Sequence, residues 1–212
     1  MAHLIETIYG VSMNEAINLL DITHSSIVTS VIKNQAKLAT ENQSWGIVMK
    51  RLEIDLCAGE GLVGKSSEKY VEVINILATV ERTIAALKWF ENKFVHTTVR
   101  ECHPSTSDNA EGNDIVLVDS KENIIIRCEV CDVVSSTAGQ NGKEKKDINN
   151  LGCAEGMPED DVRRFIATSS EFASALVSEK RKWKDLPYRY KWNDSGMSDG
   201  TVLLEIVARS DY

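Results

Sequence analysis

Two short apolar runs, Asp114–Asp119 and Ile124–Asp132, are joined only by Ser120-Lys121-Glu122-Asn123. Parallel neighbours need a crossover of about a dozen residues or more, so a link this short permits only an antiparallel hairpin. If Asp119 and Ile124 close the loop, Asp114 falls directly opposite Glu129. Opposed residues share a face of the sheet, with Cβ atoms about 5 Å apart. Two carboxylates at that spacing repel unless something positive lies between them. A divalent cation meets the need, and carboxylate oxygens suit Mg²⁺. Asp119, at the hairpin tip, is a poorer partner for Glu129. A slip of one residue in register would send Asp114 and Glu129 to opposite faces. The plainer alternative is that Asp114 starts a strand and Glu129 is solvated. Against it, Ile124–Val134 is largely apolar apart from Arg127, Glu129 and Asp132, and a carboxylate in such a run needs a partner.

The flanking pattern predicts an α/β fold. A helix is expected from about Glu68 to Glu91, capped by Ser66 or Ser67, with Val71, Ile74, Leu77, Ile84 and Leu87 along its apolar stripe. Phe94–Cys102 reads as a strand. Beyond the hairpin come a short helix over Lys143–Leu151 ended by Gly152, a strand at Val162–Thr168, a helix from Ser169 or Ser170 to about Lys182, and a last strand at Thr201–Ala208. Residues 1–58 read as a helical segment before a core over 59–212. Ser12-Met13-Asn14-Glu15 has the form of a capping box, and a second helix is expected after Thr23 or Ser25. Arg51–Ala58 alternates like a strand. Apolar residues at 42% and only three prolines suit a compact core. No apolar run approaches the roughly 18 residues of a membrane span, and no secretory pattern opens the chain. The expectation is a cytoplasmic protein whose five cysteines are free thiols.

The order helix, three strands, helix, strand from Glu68 onward, with Asn113-Asp114-Ile115-Val116 on one strand and Cys128-Glu129-Val130-Cys131 on the next, resembles the PD-(D/E)xK nuclease superfamily. The resemblance implies a restriction-endonuclease-like α-β-β-β-α-β core, a central mixed sheet flanked by helices. It further implies Mg²⁺-dependent hydrolysis of phosphodiester bonds in DNA, with a type II restriction endonuclease as the candidate and a homodimer as the expected assembly. Asp114 and Glu129 would hold the metal. Glu68, in Gly64-Lys65-Ser66-Ser67-Glu68, matches the acid that many members carry early in the first core helix. The family lysine falls on Cys131, and a thiol does not replace an ammonium. Some members carry that lysine on the following helix, where this chain has Lys143, Lys145 and Lys146. Lys145 or Lys146 is the preferred catalytic lysine. The missing lysine keeps a non-catalytic nucleic-acid-binding relative in view.

Three other motifs compete. Gly59-Glu60-Gly61-Leu62-Val63-Gly64-Lys65-Ser66 matches the phosphate-cradling loop of P-loop NTPases in full. That loop needs a strand before it, a helix after it and a parallel sheet around it, and the hairpin opposes the last. Cys128 and Cys131 form a C-x-x-C, with Cys102, His103 and Cys153 as candidates to complete a zinc set. Yet residues i and i+3 of a strand point to opposite faces. Finally, Lys180, Arg181, Lys182, Lys184, Arg189 and Lys191 are interleaved with Trp183, Tyr188, Tyr190 and Trp192. That mixture suits phosphate contacts and base stacking. It stands out because the whole chain carries a formal charge of -8.

Overall fold

The computed structural model describes residues 5–38, 52–104, 112–131, 141–178, 188–193 and 200–209. The elements run β1 (Ile8–Ser12), α1 (Met13–Leu38), β2 (Glu53–Asp55), β3 (Ser67–Lys69), α2 (Tyr70–Lys93), β4 (Thr98–Cys102), β5 (Ile115–Val118), β6 (Ile124–Val130), α3 (Asn141–Asn150), β7 (Arg163–Ser169), α4 (Ser170–Ser178), β8 (Tyr188–Asn193) and β9 (Thr201–Ala208). All strands except β2 and β3 form one seven-stranded sheet in the order β1-β4-β5-β6-β7-β9-β8. β4, β5 and β6 are an antiparallel meander. β6 and β7 are parallel, with α3 between them in the chain. The fold is α/β, with a mixed sheet covered by helices on both faces.

Alternation along the strands builds two apolar layers. Val99, Ile115, Leu117, Ile126, Cys128, Val130, Phe165 and Leu203 turn to one side and pack with α1 and α2. In α2 the buried residues Val73, Ile76, Val80, Leu87 and Phe90 recur at helical spacing and supply the facing stripe. Cys131, Ile166, Val202, Leu204 and Ile206 turn to the other side, under Ile148 of α3, Leu151 just after it, and Phe172, Ala173 and Leu176 of α4. β5 is buried along its length, as expected of a strand covered on both faces.

Local signals explain several boundaries. The Glu15 N–H donates to Ser12 Oγ at 3.2 Å, the first half of the expected capping box. The Phe172 N–H donates to Ser169 Oγ at 3.2 Å and opens α4. Gly152, at φ 74°, ends α3 in a Schellman turn: Gly152 N–H donates to the Asn149 carbonyl and Cys153 N–H to that of Ile148.

Other expectations need correction. The N-terminal segment is not purely helical. β1 pairs with β4 and extends the main sheet, while α1 packs on α2. α1 is also one helix, not two. Thr23 and Ser25 donate their hydroxyls to the carbonyls of Leu19 and Asp21, four residues back, and cap nothing. Ser66 and Ser67 do not cap α2: Ser67–Lys69 pair with Glu53–Asp55 as a small hairpin, and α2 starts after Lys69. No helix among the described residues is long and apolar enough to cross a membrane.

Candidate functional site

The hairpin has the register that brings the acids together. Ile115 pairs with Cys128, Val116 with Arg127 and Leu117 with Ile126, so one further step sets Asp114 opposite Glu129. Ile115 and Cys128 face α1 and α2, and alternation turns their neighbours Asp114 and Glu129 toward α3. At the tip the register slips, and Val118 rather than Asp119 pairs with Ile124. Asp119 serves the turn instead. Its Oδ1 accepts the Lys121 and Asn123 N–H groups at 2.8 and 3.0 Å, and its Oδ2 accepts Asn123 Nδ2. These bonds, Asn123's first, hold its carboxyl below the usual range.

Both central acids are buried, Asp114 at 4% and Glu129 at 1% exposure. The Val130 N–H donates to Asp114 Oδ2 at 2.7 Å, fixing that carboxylate across the hairpin. Glu129 Oε1 accepts Asn113 Nδ2 at 2.9 Å, and Oε2 accepts Asn150 Nδ2 at 3.4 Å. Burial, then the Asp114 charge, pushes the Glu129 carboxyl up to about 8, and Asp147 adds to the shift.

Asp147, Asn113, Asn150 and Arg127 are the site residues that sequence reasoning missed. Asp147 lies on α3 at 1% exposure, one turn before Asn150. Its signal was its spacing: Asp147 is four residues before Leu151, so it shares the stripe that Ile148 and Leu151 bury. Asn113 ties the elements together. Its Oδ1 accepts Arg127 Nη1 at 2.8 Å, and its Nδ2 donates to Glu129 and, at 3.0 Å, to the Asn150 carbonyl.

Other expected partners lie elsewhere. Glu68 is on β3, not early in a helix. It pairs with Lys65 Nζ at 2.7 Å, and the Lys65 and Lys69 bonds lower its carboxyl. Lys145 and Lys146 are exposed on α3, and among the described residues neither forms a hydrogen bond or ion pair. The Lys143 side chain lies outside the described set. Cys131, where the resemblance would place a lysine, is fully buried in the apolar layer beneath α3 and α4, where an ammonium would need a partner.

The glycine loop is not a phosphate cradle. It joins two antiparallel strands, and its amides serve the chain: Gly59 N–H donates to Val63 and Val63 N–H to Glu60. Leu62 N–H donates to Thr23 Oγ1 at 2.8 Å. Gly61 has a packing reason, because a Cβ there would meet Thr23 Oγ1 at 2.5 Å. The zinc reading also fails on geometry, since Cys128 and Cys131 belong to opposite layers. Burial pushes the Cys102, Cys128 and Cys153 thiols up.

Lys180, Arg181, Lys182 and Lys184 lie outside the described residues. Arg189 and Lys191 are exposed on the edge strand β8, and Lys191 approaches Glu205 at 3.6 Å. They point to the α2 side, away from Asp114 and Glu129, because their strand neighbours Tyr188 and Tyr190 pack in the layer under α4. Trp192, 39% exposed, does share the carboxylate face: Glu129, Ile166, Leu204 and Trp192 form one cross-strand row.

Among the described residues, no three His, Cys, Asp or Glu side chains are grouped to hold an ion by themselves. The donor set still fits Mg²⁺, which commonly takes one or two carboxylates and fills its shell with water. Here Asp114 and Glu129 would be the two hard-oxygen donors, with the Asp147 carboxylate near Glu129. No family model, characterised protein or solved structure matches this chain.

Proposed function

We propose that this protein is a Mg²⁺-dependent endonuclease of the PD-(D/E)xK type that cleaves DNA. The observation that carries the reading is that Asp114 and Glu129, both buried, lie close enough at the open end of the β5–β6 hairpin for each charge to act on the other, with Asp147 of α3 nearby. The order α2-β4-β5-β6-α3-β7, with β6 and β7 parallel, supports the restriction-endonuclease-like core. Asp114 and Glu129 would hold the ion, which when bound acidifies water and offsets phosphate charge. Asn113 and Asn150 orient Glu129, and the Val130 N–H orients Asp114. Lys145 or Lys146 of α3 would supply the catalytic lysine, and Lys146 is one turn before Asn150. Four buried thiols suit a cytoplasmic setting, and a homodimer would match two-fold symmetric DNA sites.

Incubation of the protein with plasmid DNA tests this. Cleavage is expected in Mg²⁺ and not in EDTA, with Asp114→Ala and Glu129→Ala each lowering it by roughly 10³-fold, the scale of losing an essential electrostatic group. Unchanged cleavage in both variants overturns the site. The buried Cys131 favours one second reading, a relative that binds nucleic acid without cutting it. Metal-independent DNA binding with no cleavage under Mg²⁺ or Mn²⁺ would select it.

A further inference from the structure

Two arginines lie side by side on the face that carries Glu129. Arg127 on β6 and Arg164 on β7 are register partners in the parallel pair. They are used very differently. Arg164 is 3% exposed and makes four hydrogen bonds: Nε donates to the Leu151 carbonyl at 2.8 Å, Nη1 to the Val162 carbonyl at 2.6 Å, and Nη1 and Nη2 to Asp160 at 2.8 Å each. Arg127 is half-buried, and among the described residues its one hydrogen bond is from Nη1 to Asn113 Oδ1. A guanidinium has five donors in a planar fork. No other hydrogen bond engages that fork among the described residues, and the Asp160 carboxylate that Arg164 holds is near enough to feel its charge.

The position of the fork gives it meaning. Residues two apart on a strand share a face, about 6–7 Å apart. Arg127 therefore stands beside Glu129, yet the two do not form an ion pair. The Asn113 amide lies between them, with its oxygen toward Arg127 and its nitrogen toward Glu129 and the Asn150 carbonyl. Those partners fix the amide's orientation, since only its oxygen can accept from a guanidinium. A direct Arg–Glu contact would neutralise both groups. The spacer keeps a cation and a carboxylate pair adjacent and separate, one able to meet an anion and the other a metal.

We propose that Arg127 is the phosphate-positioning residue of this site, held by Asn113 and binding a phosphate of the DNA backbone next to Asp114 and Glu129. The proposal rests on the nuclease reading above and assigns the anion-binding half of that site. A bidentate guanidinium–phosphate contact is directional as well as electrostatic, so lysine replaces arginine only in part.

The test compares wild type with R127Q, R127K and E129Q, using a fluorescently labelled DNA duplex in Ca²⁺ across a salt series, and Mn²⁺ binding to the protein alone. R127Q is expected to bind the duplex about tenfold more weakly. Its log K against log salt should flatten by roughly 0.9, the signature of one lost phosphate contact. R127K should keep the slope and recover part of the affinity. R127Q should keep Mn²⁺ binding, and E129Q should lose it. A purely structural role for Arg127 would leave the salt slope unmoved. Wild-type affinity and slope in R127Q overturn the proposal while leaving the nuclease reading intact. Failure of the wild type both to bind Mn²⁺ and to cleave overturns the nuclease reading and this assignment within it.

Discussion

At Glu129 the protein keeps a proton that an exposed glutamate would lose. Burial and the neighbouring Asp114 and Asp147 hold its carboxyl near 8, against an ordinary value of 4.5. Between those values the folded chain binds more protons than the unfolded one. The stabilisation is therefore full below the ordinary value and is lost as pH rises through about 8. Calorimetry should show wild-type Tm falling from pH 5 to pH 9, with E129Q flattening that fall. At pH 9 E129Q should melt several degrees higher than wild type, since about 1 kcal/mol moves Tm by roughly 2–4 °C in a domain of this size. At pH 4 the two should coincide. A lower Tm for E129Q at pH 9 would mean the charged carboxylate is compensated in the fold. The acid pair was legible in the sequence because a four-residue link fixes which strands touch. Asn113, Arg127 and Asp147 were not, because their meaning depends on α3 folding back over β6, and no local pattern specifies that approach.

Among the elements, the β2–β3 hairpin is where local sequence misled most. Its glycines and Ser66-Ser67 have the composition of a phosphate loop opening a helix, and tertiary pairing of Ser67–Lys69 with Glu53–Asp55 overrides that composition. The β5–β6 register and the Gly152 turn were readable because each is decided within a few neighbouring residues. The bulge between Leu117 and Val118 was not, because it follows from Asp119 folding its side chain into the turn. The glycine loop should respond to substitution as a packing element. Gly61 has φ +58°, and an added Cβ would meet Thr23 Oγ1 at 2.5 Å and the Thr23 backbone nitrogen at 2.9 Å. Gly61→Ala should lower stability by about 2 kcal/mol or more in urea titration. Gly59→Ala has the same sign of φ but open space, and should cost about 1 kcal/mol. Equal effects would mean the close approach to α1 gives way easily. Lys65→Ala removes a part-exposed pair with Glu68 and should change stability by less than about 1 kcal/mol.

For the molecule as a whole, the sheet carries a layer on each face: α1 and α2 cover one, α3 and α4 cover the other, and Glu129 lies near Asp147 of α3. The sequence suggested a separable helical segment over residues 1–58 because the capping box and the spacing of Ile17, Leu20, Ile27 and Val31 are strong local signals. It did not reveal that Ile8–Ser12 completes the sheet, since a five-residue strand is specified mainly by the β4 edge it meets. This has a consequence for truncation. Ile17, Leu20, Ile27 and Val31 are buried in the same layer as Val99, Leu117 and Phe165. At about 1.5–3 kcal/mol each, their burial contributes roughly 6–12 kcal/mol, comparable to the roughly 5–15 kcal/mol that holds a whole domain folded. Deletion of residues 1–58 would also bare the β4 edge and strip β3 of its partner. The fragment 59–212 should therefore show no cooperative thermal transition by circular dichroism and should not bind Mn²⁺. A cooperative, metal-binding fragment would mean that α2 and the sheet can close their core alone, and that α1 is an appendage to the site rather than part of what holds it.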